Sequence, residues 1–158
     1  TGRESALGPT HEEMVVPLVK QFVSSYKDLP FSVYQIQNKF RMELRSKSGI
    51  LRGREFIMKD LYSFHRDETD LARYYEKMKD VYARIYEKAG IGAETYLTFA
   101  SGGSFAKYSH EFQTVTPAGE DIIHVCEKCH IAINSEILAD QPDCPSCGST
   151  ELVEEKAI

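Results

Sequence analysis

Four cysteines, all in the last third of a 158-residue chain, stand as two pairs, Cys126-Glu-Lys-Cys129 and Cys144-Pro-Ser-Cys147. This pairing constrains the fold more than any other feature. A CxxC turn aims both of its sulfurs at one point, and two such turns close four thiolates around a single tetrahedral ion. Disulfides are disfavoured in a chain without a secretory apolar stretch, and a thioredoxin-like redox motif would need one CxxC in a βαβ setting rather than two. A Zn2+ on Cys126, Cys129, Cys144 and Cys147 is therefore expected. With four protein ligands it is structural, because no coordination position is left open. His124 and His130 flank the first pair as substitute ligands to a set that is already complete.

The remainder of the chain does not depend on this staple. With 42% hydrophobic residues and 27% charged, it has the composition of a soluble globular protein able to bury its own core. A net charge of −5 argues against binding nucleic acid through a bulk basic field. One stretch is locally basic: Arg41, Arg45, Lys47, Arg52 and Arg54 stand against Glu43 alone, which is where a phosphate would go. No apolar run approaches the length needed to cross a bilayer, so a cytoplasmic protein with no membrane partner is expected. The absence of an initiating methionine suggests a piece of a longer protein.

Periodicity supplies the elements. Thr10 stands three residues before Glu13, the pattern of a capping box, and Met14, Val15, Leu18, Val19, Phe22 and Val23 follow at helical spacing, predicting a helix from about His11 to Tyr26. Pro17 should kink it or move its start. From Phe31 to Phe40 the period becomes two, with Tyr34, Ile36 and Phe40 on one face and Phe31 and Val33 on the other. A second strand, Arg54 to Phe64, completes an antiparallel hairpin around the basic loop. Asp67 to Asp70 offers caps for a helix whose face carries Leu71, Tyr74, Met78, Val81, Tyr82 and Ile85 and which ends at Gly90. Short strands follow near Glu94 to Phe99, His110 to Thr116 and Asp121 to Val125. The expected fold is α+β, a mostly antiparallel sheet with flanking helices plus a small zinc knuckle. The expected divisions are residues 1–123, a knuckle at 124–150 and a connection at 151–158.

The stretch Phe40-Arg41-Met42-Glu43, a loop, then Arg52-Gly-Arg-Glu-Phe56-Ile-Met-Lys-Asp60 resembles motif 2 of the class II aminoacyl-tRNA synthetases at every fixed position. A guanidinium grips phosphate oxygens bidentately and stays charged, which suits Arg41 to an α-phosphate where negative charge builds. The resemblance implies that Arg41 is the electrostatic catalyst. It also implies that Glu43 accepts from the adenine amino group, that Arg52 reaches toward the γ-phosphate and that Phe56 stacks on adenine. ATP and Mg2+ are then cofactors. Taken singly, a Phe such as Phe56 in a strand is more often core than a stacking platform, and a basic hairpin loop is more often merely solvated.

Leu7-Gly8-Pro9-Thr10-His11-Glu12-Glu13 is similar to the TxE loop of bacterial-type prolyl-tRNA synthetases. Arg54 through His65 is similar to their second motif 2 strand, and Ser109-His110-Glu111-Phe112 to a further block; together the likeness extends over nearly all of residues 1–125. It implies activation of L-proline and its transfer to tRNA(Pro), whose acceptor end meets the motif 2 loop, in a homodimeric parent. Proline's secondary ammonium needs a carboxylate and a neutral acceptor, which Glu12 and Thr10 could supply. Met58 and Asp60 share a strand face with Phe56, Met58 as an apolar wall for the ring. His65, His110 and Gln113 resemble site positions, Gln113 toward ATP. The capping box remains a sufficient explanation of Thr10 and Glu13.

Motif 1, motif 3 and the anticodon-binding domain are not in this sequence, so the chain alone is expected to be inactive or weak. The knuckle stands where many bacterial prolyl enzymes carry an editing domain. A catalytically silent RNA-binding module is the alternative function; a zinc-ribbon interaction protein would leave the motif 2 likeness unexplained.

Overall fold

Full pairing of the two alternating runs dominates the first part of the chain. In the computed structural model, which describes residues 2, 4–44, 46, 49–103 and 106–158, β1 (Phe31–Phe40) and β2 (Glu55–Phe64) are antiparallel from Phe31↔Phe64 to Phe40↔Glu55. Phe31 and Phe64 stack at 5.1 Å where the strands are furthest from the loop. The register puts Phe31, Val33, Gln35, Gln37 and Lys39 on one face with Phe64, Tyr62, Asp60, Met58 and Phe56. The opposite face shows Tyr34 and Ile36 to solvent, 72% and 68% exposed. Alternation thus predicted the two faces but not which is covered. The covered one carries Lys39, with 1% exposure.

Helix α1 spans Glu12–Lys20 and is shorter than the pattern predicts. Acidic Glu12 and Glu13 begin it and Lys20 ends it, both favourable to the helix dipole. The expected capping box does not form. His11 is the N-cap, without a side-chain bond, and the Thr10 hydroxyl is committed to the Glu12 carboxylate. Pro17 sits inside the helix and removes the N–H that would have met the Glu13 carbonyl. The chain leaves the helix before Tyr26 because Asp28 accepts from the Ser24 and Ser25 backbone N–H groups at 2.8 and 2.9 Å and, with Ser25, caps a separate 3-10 turn, Tyr26–Asp28.

Helix α2 spans Glu68–Ala89, and Asp67 caps it by accepting from the Asp70 N–H at 2.8 Å. Gly90, at φ 81°, ends it in the left-handed region that glycine enters without a Cβ penalty. The chain divides into two compact units, Thr1–Tyr74 and Tyr75–Ile158, with the boundary inside α2. Of the face predicted for α2, Leu71 and Ile85 are exposed, 46% and 48%. Tyr86 turns inward instead, joining Tyr82 against Phe112 at 5.4 and 5.9 Å.

The second unit is built on a five-stranded sheet of β3 (Thr95–Ser101), β4 (Tyr108–Thr114), β5 (Asp121–Cys126), β6 (Ile131–Asn134) and β7 (Val153–Ala157), in the order β4-β3-β6-β5-β7. All pairs are antiparallel except β3 with β6. Ile123, Val125, Ala132 and Ala157 form its core, with Tyr96 and Val115 packed against them. Strands β6 and β7 were not foreseen, because both are short, β6 lies between the two cysteine pairs and β7 falls in the 151–158 stretch that was read as a connection. Gly119 is required where it stands, since a Cβ there would lie 2.4 Å from the Ala157 carbonyl oxygen.

Candidate functional site

Two hydrogen bonds tie the loop before α1 to the end of β1. The Phe40 N–H donates to the Gly8 carbonyl at 3.1 Å, and Arg41 Nε donates to the Pro9 carbonyl at 3.3 Å. Thr10 and Glu12 are thereby held beside the strand that carries Arg41. The guanidinium of Arg41 also lies over the Phe56 ring, 5.3 Å from its centroid, a cation–π geometry that orients the charge without neutralising it.

The same strand face gathers the polar groups. Asp60 accepts at Oδ2 from Gln35 Nε2 at 2.9 Å and from the Tyr62 hydroxyl at 3.0 Å, and the Lys39 ammonium stands 2.7 Å from that oxygen. Burial works against charge on Asp60, but Lys39, Gln35 and Tyr62 outweigh it and hold the carboxyl below the usual carboxylate range. Tyr62 is pushed up to about 12 by burial and by its bond to Asp60. The Glu12 carboxyl is lowered, chiefly by the Thr10 hydroxyl, against an opposing push from Asp60, so the two carboxylates feel one another. Met58 is half-buried on this face. A cleft of ≈ 650 Å³ lined by Gly8, His11, Gln35, Gln37 and one side of α1 opens alongside.

At the hairpin tip, Arg52 Nε donates to Glu43 Oε2 at 3.1 Å and Arg54 Nε to the Glu43 carbonyl at 2.8 Å. The nucleotide roles expected of Glu43 and Arg52 would require them to exchange one another for a ligand. A solvent-exposed pair of this kind is worth only about 0.2–1 kcal/mol, so the exchange is cheap. Arg45 and Lys47, two of the basic residues read from the sequence, lie outside the described residues.

The other predicted positions are engaged elsewhere. His65 uses Nδ1 on Asp70 at 3.0 Å and rests 5.1 Å from Tyr74, which fixes the start of α2; it is not among the groups around Asp60. His110 and Gln113 do not share a wall, since an odd separation on β4 sends them to opposite faces. His110 meets the Tyr75 hydroxyl at 3.1 Å and the edge of Phe99 at 4.4 Å, whereas Gln113 is buried and donates to Asp121 at 3.0 Å. Lys39, Gln35 and Tyr62 were missed by sequence reasoning. Their signal was available: each carries a polar group at the strand parity of Arg41 or of Asp60.

The four sulfurs lie within 4.8 Å of one another, with Cys126–Cys147 at 3.6 Å and Cys129–Cys144 at 3.3 Å. A tetrahedron with metal–sulfur distances of about 2.3 Å has edges of about 3.8 Å, so the donor set fits a tetrahedral metal. A disulfide would need about 2.05 Å, and all four cysteines are free. Each turn closes through a left-handed residue, His130 at φ 55° and Gly148 at φ 69°. Burial opposes ionisation of Cys144, but the Cys147 and Ser146 backbone N–H groups and neighbouring thiols bring it down to about 7. His130 stacks on Tyr96 at 4.2 Å and His124 pairs with Ser135 at 3.1 Å, so neither takes up the ligand role.

Arg41, one residue beyond β1, thus lies over Phe56 with the Glu12-bearing loop pinned beside it, at the positions of the motif 2 and TxE-loop likenesses read from the sequence. Comparison agrees at the level of family: residues 1–141 match the tRNA synthetase class II core domain (G, H, P, S and T), and the chain belongs to that family. Within it, the chain is similar to the proline–tRNA ligases of Staphylococcus aureus strains Newman, JH1 and Mu3, each 47% identical over 135 residues. That alignment covers 85% of this chain and 24% of each relative, so the chain spans about a quarter of their length. Among the described residues, no helix is long and apolar enough to cross a membrane.

Proposed function

We propose that the protein carrying this chain is a prolyl-tRNA synthetase, and that this segment supplies the amino-acid pocket and half of the nucleotide site. The observation that carries the reading is the tie between Arg41 and the 8–12 loop. It sets the Arg41 guanidinium beside the loop that bears the Thr10–Glu12 pair, and Glu12 in turn feels the charge of Asp60. The Glu12 and Asp60 carboxylates offer acceptors for the secondary ammonium of proline, while Arg41 is left for the phosphate. Met58 provides apolar surface for its ring.

In this reading the proline carboxylate oxygen bonds to the α-phosphorus of ATP while the bond from that phosphorus to the bridging oxygen breaks. Prolyl adenylate forms and pyrophosphate leaves. Arg41 neutralises charge that grows on the α-phosphate, Phe56 offers a ring face to adenine, and Glu43 and Arg52 open their ion pair toward the nucleotide. Mg2+ would supply further neutralisation on the phosphates. Exposed Met42, Leu44 and Ile50 at the hairpin tip leave the loop free to meet the acceptor end of tRNA(Pro). The cysteine cluster holds a structural Zn2+ that fastens β5 and β6 to the segment before β7, and the parent protein works in the cytoplasm as a homodimer.

The test is ATP–pyrophosphate exchange by the full-length protein with each proteinogenic amino acid. Exchange with proline, abolished by Arg41→Ala, is the expected result. Exchange with another amino acid, or with none, would overturn the reading and in the second case leave a silent RNA-binding module standing.

A further inference from the structure

Among the described residues Lys39 is the largest fully buried side chain, with 1% of its surface exposed, and no motif reading assigned it a task. Burying an ammonium is costly unless a counter-charge is close, and hydrophobic residues of similar volume would usually serve stability as well or better. Its presence on the face shared by Arg41, Phe56, Met58 and Asp60 therefore asks for a reason beyond packing.

The arrangement around Asp60 suggests one. Lys39, Gln35 and Tyr62 all meet the same oxygen, Oδ2, at 2.7, 2.9 and 3.0 Å, and among the described residues no contact is made to Oδ1. Glu12, held by Thr10, lies near enough for the Asp60 carboxylate to disfavour its charge. Without a buried cation, two neighbouring carboxylates on a partly desolvated face would tend to share a proton. A half-neutralised pair would bind an ammonium poorly.

We propose that Lys39 is a positioning residue for amine recognition: it holds Asp60 ionised and pinned through Oδ2, so that Oδ1 and Glu12 together face the secondary ammonium of the amino-acid substrate. This rests on the prolyl reading above. It assigns amine selectivity to a three-residue unit, Glu12–Asp60–Lys39, in which Lys39 touches no substrate.

Lys39→Met in the full-length protein tests it by proline-dependent exchange across pH. The KM for proline should rise about tenfold while the KM for ATP stays within about twofold, because the perturbation acts on amine binding alone. The acid limb of kcat/KM for proline should move upward by about one pH unit, because Asp60 loses its cation and keeps Glu12 as a neighbour. A purely structural lysine would instead raise both KM values and leave the limb in place, and that result overturns the proposal. Should Lys39→Met fail to fold, Lys39→Gln with Asp60→Asn preserves the shape without either charge. That pair should flatten the acid limb and weaken proline; an unchanged limb and KM would overturn the proposal equally. Absence of proline-dependent exchange in the unsubstituted protein is a separate outcome, read before any variant, and would sink the prolyl reading itself.

Discussion

Arg41 donates through Nε to the Pro9 carbonyl at 3.3 Å, so the residue expected to grip phosphate also anchors the loop that presents Thr10 and Glu12. Arg41→Lys should separate these duties. Lysine keeps the charge but loses the planar fork that serves a carbonyl and a phosphate together. We expect kcat to fall about a hundredfold and the KM for proline to rise as well, measured by exchange. A loss confined to kcat would mean that the Pro9 contact does nothing for the loop.

Glu12→Gln keeps the side-chain shape and removes the charge next to Asp60. The KM for proline should rise about tenfold with little change for ATP, since a charge-assisted bond to ammonium becomes a neutral one. Steady-state kinetics with each substrate varied in turn will show it.

The cysteine cluster should bind one Zn2+ per chain, detected by elemental analysis, and Cys144→Ser should abolish binding. Because β6 and the segment before β7 are fastened through those sulfurs, loss of metal should lower the thermal midpoint by about 5 °C or more. Chelation that leaves the midpoint unchanged would count against a structural metal.

His110 is held below the ordinary imidazole range by burial first and by the Lys79 charge second, with Glu76 opposing. The folded chain therefore binds this proton less readily than the unfolded one. The contribution of His110 is fully present above the unfolded value of about 6.5 and is lost as pH falls toward the folded value. Titration of the His110 ring by NMR should give a value below that of a free histidine, and Lys79→Ala should raise it.

Much of this architecture was legible in the residues. The hairpin was readable because a period of two over Phe31–Phe40 and a run of large apolar residues up to Phe64 flank a polar loop that contains Gly49. Helix α2 was bounded by Asp67 and Gly90, whose cap chemistry is local. Helix α1 was overextended because its apolar spacing continues to Phe22 and Val23, while Asp28 offers backbone bonds that helical geometry does not reach.

By itself, then, the amino-acid order determined what depends on near neighbours and on motif: the hairpin, helix α2, the paired CxxC turns, and the Arg41–Glu43–Arg52–Phe56 series. Tertiary structure decided which hairpin face was covered, that Lys39 is buried against Asp60, and that His65 pairs with Asp70 in the first turn of α2. It also decided that His110 and Gln113 point apart. These outcomes rest on charges and surfaces brought together from positions far apart in the chain, whose burial and pairing energies no local pattern records.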